Sequence, residues 1–208
     1  QRQMCIRDSP RPDQRHITYK DACELPKVVH KEFNIEGNPI KKFIDLVCNI
    51  KPTQVTLVPD TVDAITSNSG WDTIKNKDFL KDVILDLKSN GIRTSIFVDP
   101  HLKFIEGAKE VGADRIELYT ESYAYNYEKG ILKEIDKYVE SSLLAHKLDL
   151  GINAGHDLNL QNIEYFVSNM PYLHEVSIGH AIISESLYLG IENVVNLYLH
   201  KMSYAFKK

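Results

Sequence analysis

The chain has 208 residues, 43% of them hydrophobic and 26% charged, with a net charge of −4; this is ordinary globular composition, long enough for one sizeable domain or two small ones without staples. Mixed charge with no Lys/Arg block argues against a nucleic-acid surface, and apolar runs as short as Ala181–Ile183 argue against a membrane span, which needs about 20 residues. Three cysteines, at 5, 23 and 48, lack CxxC spacing, which speaks against a disulfide framework or a zinc site and fits a reduced cytosol.

In chain order, the first stretch is QRQMCIRDSPRPDQRH, with its first methionine at Met4 and no apolar signal-peptide segment. RPDQRH then gathers two arginines, an aspartate and a histidine into six positions, as functional loops do. From residue 30 onward one pattern repeats: a short β-branched run, a polar or glycine end, and an amphipathic helical stretch. The expected strands are 32–36 (EFNIE), 54–59 (QVTLVP), 93–99 (RTSIFVD), 115–120 (RIELYT), 150–156 (LGINAGH) and 175–181 (EVSIGHA). Between them, 38–50 puts Ile40, Phe43, Ile44, Val47 and Ile50 on one helical face. The stretch 76–91 does the same with Phe79, Leu80, Val83, Ile84 and Leu87, then stops at Asn90-Gly91. Further helices are expected at 99–113, ending at Gly112, and at 131–148, 159–170 and 186–202.

Strands alternating with helices through short connections mean parallel strands with helical crossovers. Two architectures satisfy this: an open doubly wound sheet and a closed (β/α)8 barrel. Helices of similar length after every strand, and no Gly-rich dinucleotide fingerprint after any, favour the barrel. Such barrels take about 250 residues. Six strands in this chain leave roughly one and a half βα units unaccounted for at the N-terminal side, namely the first strand–helix unit and most of strand 2. No linker or low-complexity tract divides the rest, which reads as a single domain over 10–208.

Barrel enzymes build their sites at the C-terminal ends of strands. Those ends carry Glu36, Pro59-Asp60, Asp99, Glu117 with Thr120, His156 and His180. NAGHD (153–157) and SIGHA (177–181) repeat a Gly-His pair on neighbouring strands; small residues admit a substrate to the backbone, and histidine titrates near neutrality. Glu36 is open to two readings, a catalytic carboxylate or a solvated loop acid. Glu117, flanked by Ile116 and Leu118, points into the barrel by alternation, where a carboxylate is costly unless partnered or functional. The helix start after the last strand, in GHAIISESLYLG, is an anion site or an ordinary Ser-capped start. TSNSGW (66–71) is a phosphate or sugar-hydroxyl loop or simply a turn. Arg11, Arg15 and His16 either bind a phosphorylated substrate or form a solvated loop, and spacing alone favours the loop. No metal-ligand spacing, GxSxG, P-loop or HExxH is present. Taken together, the residues point to a barrel enzyme performing acid–base chemistry on a small phosphorylated carbonyl metabolite.

The blocks RPDQRHIT, FNIEG, QVTLVPD, ITSNSGWDT, GIRTSIFVD, GADRIELYTE, NAGHDLNLQN and EVSIGHAIISESLYLG are similar, collinearly over about residues 10–200, to the pyridoxine 5′-phosphate synthase family. The resemblance implies a TIM barrel that oligomerises, commonly as an octamer. It implies condensation of 3-amino-2-oxopropyl phosphate with 1-deoxy-D-xylulose 5-phosphate, with release of phosphate and water, and no metal or organic cofactor. It further implies Glu36 as proton acceptor, His156 as proton donor and Glu117 as the interior carboxylate that stabilises the transition state. Arg11, His16 and Thr66 would contact the deoxyxylulose phosphate, and Asp157 (often Gly in the family), Gly179 and His180 the aminoketone phosphate. The family's opening Asn-x-Asp-His strand is not found, and Ser9 stands where the family carries a further acid–base histidine. Residues 1–9 are therefore expected to be foreign to the barrel, and the chain to turn over weakly or not at all. The alternatives are another phosphosugar aldolase or epimerase of this fold, or a non-catalytic binder of phosphorylated ligands.

Overall fold

The computed structural model describes residues 6–11, 13–14, 16–60 and 68–205. Seven strands run in sequence order, every neighbouring pair parallel: β1 (Ile6–Asp8), β2 (Phe33–Gly37), β3 (Gln54–Leu57), β4 (Arg93–Val98), β5 (Arg115–Tyr119), β6 (Gly151–Gly155) and β7 (Glu175–Ser177). Around them lie α1 (Tyr19–Glu24), α2 (Lys41–Ile50), α3 (Lys77–Ser89), α4 (Leu102–Glu110), α5 (Glu121–Glu128), α6 (Ile135–Lys147), α7 (Ile163–Asn169), α8 (His180–Leu189) and α9 (Ile191–Ala205). This is a nearly closed TIM-like α/β barrel. Among the described residues no ladder joins β7 to β1.

Six of the strands are the expected ones; β1 is not. It lies in the segment expected to be foreign, yet it pairs in register with β2, Ile6 opposite Phe33 and Asp8 opposite Ile35. Two helices were also not expected. The six-residue α1 has no apolar repeat and is set by a capping box in which Thr18 accepts from the Asp21 amide and Asp21 accepts from the Thr18 amide. The sequence of α5, ESYAYNYE, hides its buried face because that face is tyrosine: Tyr123 is 1% exposed and donates to the Asn162 carbonyl at 2.7 Å. The last strand is shorter than 175–181, because the chain turns into α8 at His180. The expected helix 186–202 is likewise divided, since Gly190 (φ +80°) ends α8 and α9 begins at Ile191.

The pleat sorts side chains into two environments. Outward positions of the strands, such as Ile35, Val55, Leu57, Ile96, Ile116, Leu118 and Ile152, are all fully buried against the helices and form one continuous apolar core. On α3 the stripe Leu80, Ile84 and Leu87 carries the burial. Phe79, expected on that face, is instead 45% exposed and covers the Trp71 ring at 6.0 Å. Inward positions are polar, unlike the branched aliphatic filling usual in such barrels. Asn34 and Thr56 bond at 3.1 Å, Arg93 donates to Gln54 at 2.7 Å, and Arg115 reaches Asn153 at 3.0 Å and Glu175 at 3.2 Å. Among the described residues Val58, Phe97 and Tyr119 form a small apolar cluster there, separate from the outer core.

Candidate active site

An open cleft of about 1570 Å³ runs the depth of the barrel. Glu36, Glu117, His156, Asp157, Gly179, His180, Arg11 and His16 all line it. Of the sequence-predicted candidates, Thr66 and Ser67 of the TSNSGW loop and Arg15 lie outside the described residues. The opposite end of the cleft is walled by Lys31, Glu32, His174 and Glu175, and α9 adds Tyr198 and Met202 to its lining.

Glu117 sits on β5 with its side chain 1% exposed, inside the barrel as alternation requires. Its space exists because residue 155 is glycine: a Cβ there would lie 2.5 Å from a Glu117 carboxylate oxygen and 2.8 Å from Ser177 Cβ. The glycine of NAGHD thus makes room for a neighbouring strand's carboxylate, a use the sequence reading had not found. Glu36, at the end of β2, also turns inward, with its side chain 16% exposed, and so is no solvated loop acid. Arg7 of β1 bridges the two: its guanidinium pairs with Glu36 and with Glu117 and also donates to Ser177 Oγ on β7. Sequence reading missed both Arg7 and Ser177. The signal for Ser177 was alternation with Val176; for Arg7 there was none, because its strand was not expected.

His156 follows β6 on a backbone that side chains rarely adopt. His156 has φ +94° and Asp157 has φ +56°, each costing on the order of 1–3 kcal/mol unless the surroundings impose it. They do impose it. Thr120, fully buried, donates its hydroxyl to the His156 carbonyl, and Asn162, 1% exposed, donates to the Asp157 carbonyl at 3.1 Å. Thr120, read as a strand-end site candidate, is therefore a clamp. The His156 ring stands edge-on to Tyr119 at 4.9 Å, and its Nδ1 is 2.8 Å from Asp157 Oδ2. That hydrogen bond, helped by His156 and His180 charge, holds the Asp157 carboxyl below its usual range against the opposing effect of burial. Burial pushes the Tyr119 hydroxyl far above the usual phenol value, so it stays neutral.

Arg11 is 8% exposed and paired with buried Asp60 at 2.8 Å, so it is not part of a solvated loop, whereas His16 is exposed at the cleft mouth. Asp60 thus orients an arginine, and Asp99 accepts from the Gly70 amide at 3.0 Å. Gly179 precedes α8, and a Cβ there would meet nothing within 4 Å, so the backbone at the helix start is open to a ligand. His180 is exposed as the first residue of α8. Among the described residues no group of three His, Cys, Asp or Glu side chains is arranged to hold a metal ion.

A model of the family described as pyridoxal phosphate biosynthesis protein PdxJ matches residues 4–204. The match therefore takes in residues 4–9 as well as the rest of the barrel. The chain is 64% identical over 190 residues to pyridoxine 5′-phosphate synthase of Christiangramia forsetii, covering 91% of this chain and 80% of the relative. It is 63% identical over 193 residues to the synthase of Flavobacterium johnsoniae, covering 93% and 81%. Among solved structures, 3-keto-L-gulonate-6-phosphate decarboxylase from Vibrio cholerae superposes with a TM-score of 0.64 at 9% identity, covering 96% of this chain and 85% of that one. At that identity the likeness speaks for the barrel alone.

Proposed function

Because the chain belongs to the PdxJ family of pyridoxal phosphate biosynthesis proteins, we propose that its cleft carries out the pyridoxine 5′-phosphate synthase reaction. The reaction joins 3-amino-2-oxopropyl phosphate to 1-deoxy-D-xylulose 5-phosphate and releases phosphate and water as the ring closes. The observation that carries this reading is the convergence of Glu36, Glu117 and His156 on one cleft whose rim also holds Arg11, His16, Gly179 and His180.

Amine addition to a ketone, loss of phosphate, dehydration and ring closure each need a proton moved at a defined atom, and groups held on rigid strand ends supply such transfers. In our reading Glu36 takes the proton from the amine or its neighbouring carbon. His156 gives one to the departing oxygen. Glu117, inside the barrel, opposes the positive charge that develops on the iminium-like centre. Arg7, paired with both Glu36 and Glu117, holds these two carboxylates facing the same cleft. The two phosphates go to two anion sites. One is at Arg11 and His16, with Asp60 fixing the guanidinium; the other is at the open backbone of Gly179 and the start of α8, beside His180. No metal or organic cofactor enters this scheme.

Ser9, 8% exposed and lining the same cleft just past β1, stands where the resemblance expects a histidine, so turnover should be slow. The test is to incubate the purified chain with both substrates and measure pyridoxine 5′-phosphate, alongside Ser9→His and His156→Ala. We expect weak product formation, a gain with Ser9→His, and loss by about 10²-fold or more with His156→Ala. Turnover that is unaffected in His156→Ala removes the assigned roles. Tight binding of both substrates with no product from any variant points instead to a ligand binder on this fold.

A homo-oligomer also belongs to this reading, supported by the apolar face of α8, where Ile183, Leu187 and Tyr188 are 63%, 81% and 90% exposed. A cytosolic setting goes with it. Among the described residues, no helix is long and apolar enough to cross a membrane.

A further inference from the structure

We infer that Asp157 is a positioning residue for His156: its carboxylate fixes the imidazole with the proton on Nδ1 and so leaves Nε2 as the nitrogen that exchanges protons with substrate. The inference rests on the reading of His156 as proton donor and changes the part played by its neighbour, which the family resemblance had placed among the phosphate contacts.

Three observations carry it. Asp157 Oδ2 lies 2.8 Å from His156 Nδ1, and an ionised carboxylate can only accept, so Nδ1 must donate. The carboxyl is held in its ionised form by that same hydrogen bond and by nearby His180, its pKa lying below the ordinary range. The geometry is also built rather than incidental. Two successive left-handed residues, His156 and Asp157, are imposed by buried clamps, Thr120 on one carbonyl and Asn162 on the other. The edge-on Tyr119 ring at 4.9 Å limits the ring's swing from another side. A carboxylate in this place would repel a phosphate, whereas beside an imidazole it does what the acidic partner of a catalytic histidine does elsewhere: it selects the tautomer and aims the ring. After His156 gives its Nε2 proton to the departing oxygen, the neutral ring keeps Nδ1–H and is ready to be reprotonated on Nε2.

The backbone makes the test clean. At φ +56° glycine is at ease, so Asp157→Gly removes the carboxylate without straining the fold, and Asp157→Asn keeps an accepting oxygen without the charge. The experiment is ¹⁵N NMR of the His156 ring in the whole chain, with kcat and KM for both substrates. In the parent chain the neutral ring should carry its proton on Nδ1. Asp157→Gly should move it substantially to Nε2 and lower kcat by about tenfold or more, a share of what a well-placed general acid contributes, with both KM values within about twofold. Asp157→Asn should restore the Nδ1–H signature. An unchanged tautomer in Asp157→Gly overturns the inference, as does a rise in KM for the aminoketone phosphate with kcat intact, which would return Asp157 to substrate binding. Failure of the underlying reading shows separately, as undiminished kcat in His156→Ala.

Discussion

Arg7 shows how much one side chain can alter a site. Glu117 was legible as an interior carboxylate because β-strand alternation is rigid: with Ile116 and Leu118 facing the helices, residue 117 has no other direction. What compensates its burial was not legible, since the partner lies 110 positions away in sequence. Removing one member of a buried pair leaves an uncompensated charge at a cost of about 3–5 kcal/mol. Arg7→Ala should therefore lower unfolding stability by about that amount in urea titrations, and adding Glu117→Gln should recover much of it. A loss below about 1 kcal/mol in the single variant would mean the guanidinium is not what holds Glu117. Arg11 teaches the same lesson from the loop side: spacing favoured a solvated residue, and only the fold brought Asp60 to within 2.8 Å.

Among the elements, the strands and the larger helices were legible where one face is apolar, as on α2 and α3, and hidden where the buried face is polar or aromatic. In α5 the buried face is Tyr123 with Ala124, and the Tyr123 hydroxyl is satisfied by the Asn162 carbonyl, so no hydrophobic period marks the helix. In α1 the local cap is the whole signal. Pairings between elements explain the glycine in NAGHD. Gly155→Ala should force Glu117 and Ser177 aside, costing roughly 1–3 kcal/mol and most of the turnover; full activity with unchanged thermal stability would show that the strand accommodates the methyl group. At the other end of the sheet Asp114 ties β4 to the turn before β5. Burial pushes its pKa up, but Lys88 at 2.8 Å and the Thr94 amide and hydroxyl at 2.8 and 3.0 Å outweigh it, and the folded value lies below normal. A lowered carboxyl pKa adds stability that is fully present above the unfolded value of about 3.9 and fades as pH falls toward the folded one. Asp114→Asn should thus be less stable than the parent at pH 7 and lose stability less steeply below about pH 4, measured as Tm against pH. Parallel Tm curves for the two proteins would remove Asp114 from the acid response.

At the scale of the whole molecule, two surfaces matter: the side of the barrel between β7 and β1, and α8. Arg7 joins the edge strands through Ser177 Oγ, a side-chain link where a ladder would otherwise run. On α8 the exposed Leu187 and Tyr188 are the residues that the proposed oligomer would cover. Leu187→Glu with Tyr188→Glu should shift sedimentation from an oligomer to a smaller species while leaving the far-ultraviolet circular dichroism unchanged; identical sedimentation would show that subunits meet elsewhere.

From the sequence alone follow the alternation of strand and helix, the parallel strands with helical crossovers, the inward Glu117 and the cluster of strand-end histidines. These depend on local periodicity and on the rule that side chains alternate across a strand. Tertiary structure alone decided the rest. It showed Ile6–Asp8 in the sheet, because strand pairing is made by backbone groups that are indifferent to side-chain identity. It showed Arg7 between two carboxylates, Gly155 as the space beside Glu117, and Asp157 on the ring of His156. Each of these depends on distance in space between chain segments, or on a left-handed backbone held by buried clamps, and neither quantity has a period that a sequence can display.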